Sequence, residues 1–207
     1  MDRYLITQSL IGAWNYLISC REECKEDAYN DFLDTLNRVK KESTPEMQNG
    51  IDFENEVYKA ATGAPRAAHH KWESGINAVA TLIKGAQIQV KASREVTVDG
   101  VDLLVYGILD ALKAGSIYDV KFINKSFGSA ELAGKYFESP QHPTYFFLVP
   151  EAMDFTYLVS DGIDLYTERY TPKNSPKFTD IARDFLQFLK NSNLFEIYQE
   201  KWRTNDR

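Results

Sequence analysis

Helical and strand periodicities alternate along this chain, and together they predict an α/β fold in which a central, mainly antiparallel or mixed sheet is flanked by helices. Three observations carry the expectation. Apolar residues recur at helical spacing through the N-terminal portion. From Gly85 to Phe122 the composition turns to Val, Ile and Tyr, punctuated by Asp99-Gly100 and Ala114-Gly115. Helical spacing then returns on both sides of two further strand-like segments. The 207 residues suffice for one sizeable core, so residues 1–207 are expected to form a single domain.

Residues 5–84 read as helices. Leu10, Trp14 and Leu17 set the first, over 5–19, with Thr7 as its N-cap. Phe32, Leu33, Leu36 and Val39 set the second, over 27–41, which ends in Lys40 and Lys41, where cations suit a helix C-terminus. A third runs over 52–62, capped by Asp52 and stopped by Gly63. A fourth runs from Glu73 to Lys84 with Ile76, Val79, Ala80 and Ile83 inward. Residues 85–122 form the core sheet, as three or four antiparallel strands. Within 129–170, a helical stretch over 129–149 is split near Ser139-Pro140, and two strands, 154–160 and 163–170, turn at Asp161-Gly162. Helices over 177–190 and 194–203 make up the C-terminal region 177–203.

The bulk numbers exclude several classes. No apolar run is long enough for a membrane-spanning helix, and the polar Thr7, Gln8 and Ser9 make a poor signal peptide, so a cytoplasmic protein is expected. Cys20 and Cys24 are too few for a cysteine-built metal site and read as reduced thiols. A net charge of −6 disfavours a broad basic face for nucleic acid. A metal site consumes carboxylates, however, and a basic groove can sit on an acidic body.

The chemistry concentrates in Gly107-Ile108-Leu109-Asp110 and Asp119-Val120-Lys121. If these strands pair across a tight turn at Ala114-Gly115, Lys113 faces Ser116 and Asp110 faces Asp119. Two opposed carboxylates among apolar neighbours repel and are costly to bury. Lys121 shares the face of Asp119 and supplies part of the missing positive charge; a hard divalent cation, Mg²⁺ or Mn²⁺, would supply the rest. Glu54 lies beside the apolar stripe Phe53–Val57 of the third helix, at the border of the interior, where a carboxylate can reach a metal. An acidic residue there also answers the helix dipole. Gln141 and Tyr145 fall one turn apart after Ser139 as N-cap and Pro140 as first helical residue. An amide and a phenol on one face can hold a phosphate or orient a metal's water; they can equally form a polar rim on a buried helix. His69-His70-Lys71-Trp72 could grip a strand by phosphate contact and stacking, or could be a loop anchored by one tryptophan.

The ordered set Gly50…Phe53-Glu54…Val57, Gly107-x-x-Asp110, Asp119-x-Lys121 and Gln141-x-x-x-Tyr145 resembles the PD-(D/E)XK nuclease superfamily, most closely its RecB-like and lambda-type phage exonuclease branch. The match covers about residues 5–160. The resemblance implies a restriction-endonuclease-like core and a metal-dependent DNA nuclease, an exonuclease of phage-type recombination. An endonuclease of the same chemistry, or an inactive binding module on the same fold, are the alternatives. It implies Asp110, Asp119, the carbonyl of Val120 and Glu54 as metal ligands, and Lys121 as the residue that positions and helps deprotonate water or stabilises transition-state charge. Gln141 and Tyr145 would touch DNA or the metal's water shell. DNA is the implied partner; a phage single-strand annealing protein and a homo-oligomer are compatible with it. Asp119 is one methylene shorter than the Glu common at its step, and Glu54 replaces the His of many RecB-like members, as in the lambda-type variant.

Overall fold

The computed structural model describes residues 2–66 and 70–204. The chain runs β1 (Arg3–Thr7), α1 (Gln8–Ser19), α2 (Lys25–Leu36), α3 (Pro45–Thr62), α4 (Glu73–Ile83), β2 (Gln87–Val98), β3 (Val101–Lys113), β4 (Ser116–Phe122), α5 (Ser129–Leu132), α6 (Gln141–Leu148), β5 (Asp154–Ser160), β6 (Leu165–Tyr170), α7 (Phe178–Asn191), α8 (Phe195–Trp202) and β7 (Arg203–Thr204). All seven strands belong to one mixed sheet: β1 pairs parallel with β3 and β4 parallel with β5, and the other pairings are antiparallel.

Several elements depart from the sequence-based expectation. Residues 3–7 form a strand, not the start of a helix: Tyr4 and Ile6 are buried in alternation, and Thr7 leaves the sheet as N-cap of α1, accepting from Leu10 N–H at 3.4 Å. α2 stops at Leu36 because Arg38 turns left-handed (φ 57°), so Val39 is exposed. α3 begins at Pro45 with Thr44 as cap, and Asp52 sits inside it, accepting from the Gln48 amide at 2.8 Å. Asp161-Gly162 widens into a connection through Asp164 before β6. β7 was not expected; it borders β1 in the register Arg3↔Thr204.

Helices cover both faces. On one, α1, α2, α6, α7 and α8 bury Leu10, Trp14, Phe32, Tyr145, Phe185 and Tyr198 against Leu103, Val105 and Leu109. On the other, α3 and α4 bury Phe53, Val57, Ile76, Val79 and Ile83 against Ala111, Val120 and Leu158. Two-residue turns set the register of the central strands. Asp99-Gly100 (φ 49° and 78°) joins β2 to β3, and Ala114-Gly115 (φ 50° and 82°) joins β3 to β4. Both residues are left-handed in each, the geometry that matches strand twist.

Two features of β3 prepare the site. β2 covers one edge along almost its whole length, whereas the other edge is shared: β1 takes Asp102–Tyr106 and β4 takes Ala111–Lys113. A fork therefore opens at Gly107–Asp110. The strand also changes phase there. Leu109 packs with the first core cluster and Ala111 with the second, although residues two apart in a regular strand share a face.

Ala114 holds a left-handed backbone that glycine adopts freely and alanine does not. Ala114→Gly is expected to raise stability by about 1 kcal/mol, seen as a higher urea midpoint with unchanged slope.

Candidate active site

The fork brings together most of the residues singled out from sequence. The β3–β4 ladder follows the anticipated register through Lys113↔Ser116, Leu112↔Ile117 and Ala111↔Tyr118, then stops. At the next position the Val120 N–H turns to the Asp110 carboxylate, donating to Oδ2 at 2.8 Å. Asp110 thus takes the place of a strand carbonyl, and its side chain lies in the gap between the strands.

Asp119, on β4, is 2% exposed. Its Oδ1 accepts from the Gln141 amide at the N-terminus of α6, and its Oδ2 lies 2.8 Å from Lys121 Nζ. The Lys121 ammonium is thus the partner of this buried Oδ2. Burial raises both aspartates above the ordinary carboxylate range; for Asp110 the neighbouring Asp119 and Glu54 add to it, and for Asp119 Lys121 and Gln141 oppose it. For Lys121, burial works against the ammonium, but Asp119 and Asp110 outweigh it and hold the group charged.

Gln141 and Tyr145 reach the fork from α6, though in different roles. The Ser139 hydroxyl accepts from Gln141 N–H at 3.3 Å, fixing the helix start. The buried Tyr145 hydroxyl donates to the Ile108 carbonyl at 2.8 Å, satisfying a group that neither β1 nor β4 pairs. Gly107 makes this approach possible: a Cβ there would lie 2.6 Å from Tyr145 Cε1 and 2.9 Å from Leu148 Cδ1. The next residue, His142, is fully buried, stacks on Tyr170 at 4.2 Å and is pushed down to about 4 by burial, so it anchors α6 as a neutral ring.

Glu54 comes from α3 on the opposite face. Its Oε1 accepts from the Tyr58 hydroxyl and, at 3.1 Å, from the Gln89 amide. Among the described residues no three Asp, Glu, His or Cys side chains stand together as a ready cage for a metal. The donor chemistry nevertheless suits a hard cation: the buried Asp119 and the half-buried Asp110 are carboxylates that repel one another.

Three contributors were not foreseen. Tyr58 and Gln89 flank Glu54, and Tyr136, stacked on Tyr157 at 4.2 Å, stands within electrostatic reach of Lys121 and Asp119. Tyr136 is held by Glu168, which accepts from the N–H groups of Gly134 and Tyr136 at 3.2 and 3.4 Å. Gln89 and Tyr136 have no local sequence signal, whereas the one-turn spacing of Tyr58 from Glu54 on α3 could have found it. Of the cluster His69-His70-Lys71-Trp72, His69 lies outside the described residues. Trp72 packs against Phe122 and Phe53 at 4.5 and 6.0 Å, as a loop anchor does, with Lys71 Nζ 4.0 Å above its ring. Cys20 and Cys24 are free thiols.

No protein-family model and no curated protein matches the chain. Solved structures do. The alkaline exonuclease LHK-Exo from Laribacter hongkongensis is similar with a TM-score of 0.50 at 12% identity, over 94% of this chain and 88% of that one. Its complex with dAMP gives 0.54 at 13%, over 95% and 92%. SSO0001 gives 0.53 at 13% identity, over 91% of this chain and 78% of that one. The chain therefore shares the mixed α/β fold of these structures. In this fold, Asp110, Asp119 and Lys121 sit where β3 and β4 part, with Gln141 on Asp119.

Two expectations follow. Gly107→Ala should cost about 2 kcal/mol or more through overpacking against Tyr145 and Leu148, measured by urea unfolding. Both aspartates bind their protons more tightly folded than unfolded, so the metal-free protein gains stability as pH falls through their protonation range. Asp110→Asn mimics that state and should raise stability in chelator at neutral pH by on the order of 1 kcal/mol, visible as a higher melting temperature.

Proposed function

We propose that this chain is a divalent-metal-dependent deoxyribonuclease that hydrolyses phosphodiester bonds. One observation carries the reading: Asp119, buried, and Asp110, half-buried, stand together at a break in the sheet with Lys121 beside them, an arrangement that costs stability unless a cation is to be held there. Similarity in fold to an alkaline exonuclease, solved with dAMP, supports the substrate class. Among the described residues no helix is long and apolar enough to cross a membrane.

Asp110, Asp119 and the Val120 carbonyl would hold Mg²⁺ or Mn²⁺, with Glu54 as a further ligand, direct or through water. When bound, the metal supplies Lewis acidity toward water and the phosphate oxygens. The remaining work belongs to the chain. Gln141 fixes the Asp119 carboxylate by holding Oδ1, while Lys121 pairs with Oδ2. Lys121, held as an ammonium, orients the attacking water and offsets charge developing on the phosphate. Tyr145 keeps the fork open at fixed width and stands behind the site. The lambda-type Glu54 position supports the narrower reading, an exonuclease of phage-type recombination.

The test is incubation of end-labelled linear duplex and closed circular DNA with Mg²⁺, Mn²⁺ or chelator. Metal-dependent loss of linear DNA alone is expected, with Asp119→Ala reducing the rate by about a thousandfold or more. Cutting of the circle would make the enzyme an endonuclease. Degradation of neither substrate under any metal would sink the catalytic reading.

A further inference from the structure

Gln89 is the third residue of β2 and has φ 56°, a left-handed backbone that a residue with a long side chain seldom adopts inside a strand. The β2–β3 register is unbroken on either side, through Ile88↔Ala111 and Val90↔Leu109, yet the rung between them is missing. The residue that Gln89 would oppose in that register is Asp110. The phase change noted in β3 occurs at the same place in β2: Ile88 packs with the second core cluster and Val90 with the first. The distortion carries the Gln89 amide to Glu54 and Tyr58. Its Nε2 lies 3.1 Å from Glu54 Oε1 and 3.1 Å from the Tyr58 hydroxyl, which itself donates to the same Oε1. Glu54 Oε2 takes no hydrogen bond among the described residues.

We propose that Gln89 is a positioning residue for Glu54: its left-handed backbone and side-chain amide, together with the Tyr58 hydroxyl, grip one oxygen of the Glu54 carboxylate and fix its charge beside the Asp110–Asp119 pair. Local strain is retained at this rung because the straightened strand would lose the amide from Glu54. Tyr58 is pushed up by burial and then by Asp110, so its hydroxyl stays a donor. The proposal rests on the reading of Asp110 and Asp119 as a cation site.

The test separates strain from positioning. Glycine adopts the left-handed backbone freely, so Gln89→Gly removes the amide while relaxing the strand. The full chain is melted in chelator and then titrated with Mn²⁺ by calorimetry, beside Tyr58→Phe. Gln89→Gly is expected to melt at or above the wild-type temperature and to bind Mn²⁺ about fivefold to tenfold more weakly, the equivalent of one lost hydrogen bond. Tyr58→Phe should weaken Mn²⁺ in the same direction, and it carries the test alone if Gln89→Gly does not fold. Wild-type Mn²⁺ affinity in the folded variants would overturn the positioning role and leave the cation site standing. No Mn²⁺ binding by the wild type would overturn both.

Discussion

The interruption of β3 at Asp110 is the constraint from which the candidate site follows. A regular antiparallel strand offers its side chains only to the two faces of the sheet, where they meet covering helices. Between Leu109 and Ala111 this strand changes face, and the side chain between them is released into the plane of the sheet. There it meets the Val120 N–H in place of a neighbouring carbonyl. A ladder bond is thereby exchanged for a charge-assisted one, so the backbone donor stays satisfied and a carboxylate gains a fixed position. The same interruption separates β1 from β4 along one edge and makes the cleft into which Asp119, Lys121 and Gln141 project.

Such a break needs support, and α6 provides it. The helix is seated by two buried aromatic anchors, Tyr145 against Ile108 and Gly107, and His142 against Tyr170 and Tyr157. Its start then places Gln141 on Asp119. Gln141 shares one short helix with the two residues that seat it, so the packing of that helix and the position of Gln141 cannot be changed independently. The carboxylate repulsion is met in part by Lys121, on Asp119 Oδ2, and in part by hydrogen bonds from the Val120 N–H and the Gln141 amide.

Much of this was legible in the sequence because its signals are local. Asp99-Gly100 and Ala114-Gly115 announce two-residue turns, and the second of them alone fixes the β3–β4 register as far as Ala111↔Tyr118. The carboxylates, Lys121, Gln141 and Glu54 could be named from spacing and resemblance. What escaped depends on contacts distant in the chain. β1 is too short for its alternation to compete with the helical pattern that begins at Gln8, and its partner strand lies far downstream. The early start of α3 was available in Thr44-Pro45, a cap followed by a residue suited to the first turn, and was masked by the acidic cap-like Asp52. Gln89 and Tyr136 carry no motif, since one owes its place to a strand distortion and the other to a loop anchored elsewhere, whereas Tyr58 stands one helical turn after Glu54 on α3.

The two arms of the fork differ in how far apart their partners lie along the chain. β4 returns to β3 through a two-residue turn, whereas β1 must find Asp102–Tyr106 at one side and Arg203–Thr204 at the other, a closure that spans 201 residues at Thr204 Oγ1 to Arg3. Loop-closure entropy makes the first arm quick to form and the second slow. During folding, then, the two aspartates come face to face while the wall opposite them is still absent and water still reaches their carboxylates. Their mutual repulsion is felt in full only when β1 and the helices behind it arrive, which places the electrostatic cost of the site late on the folding route.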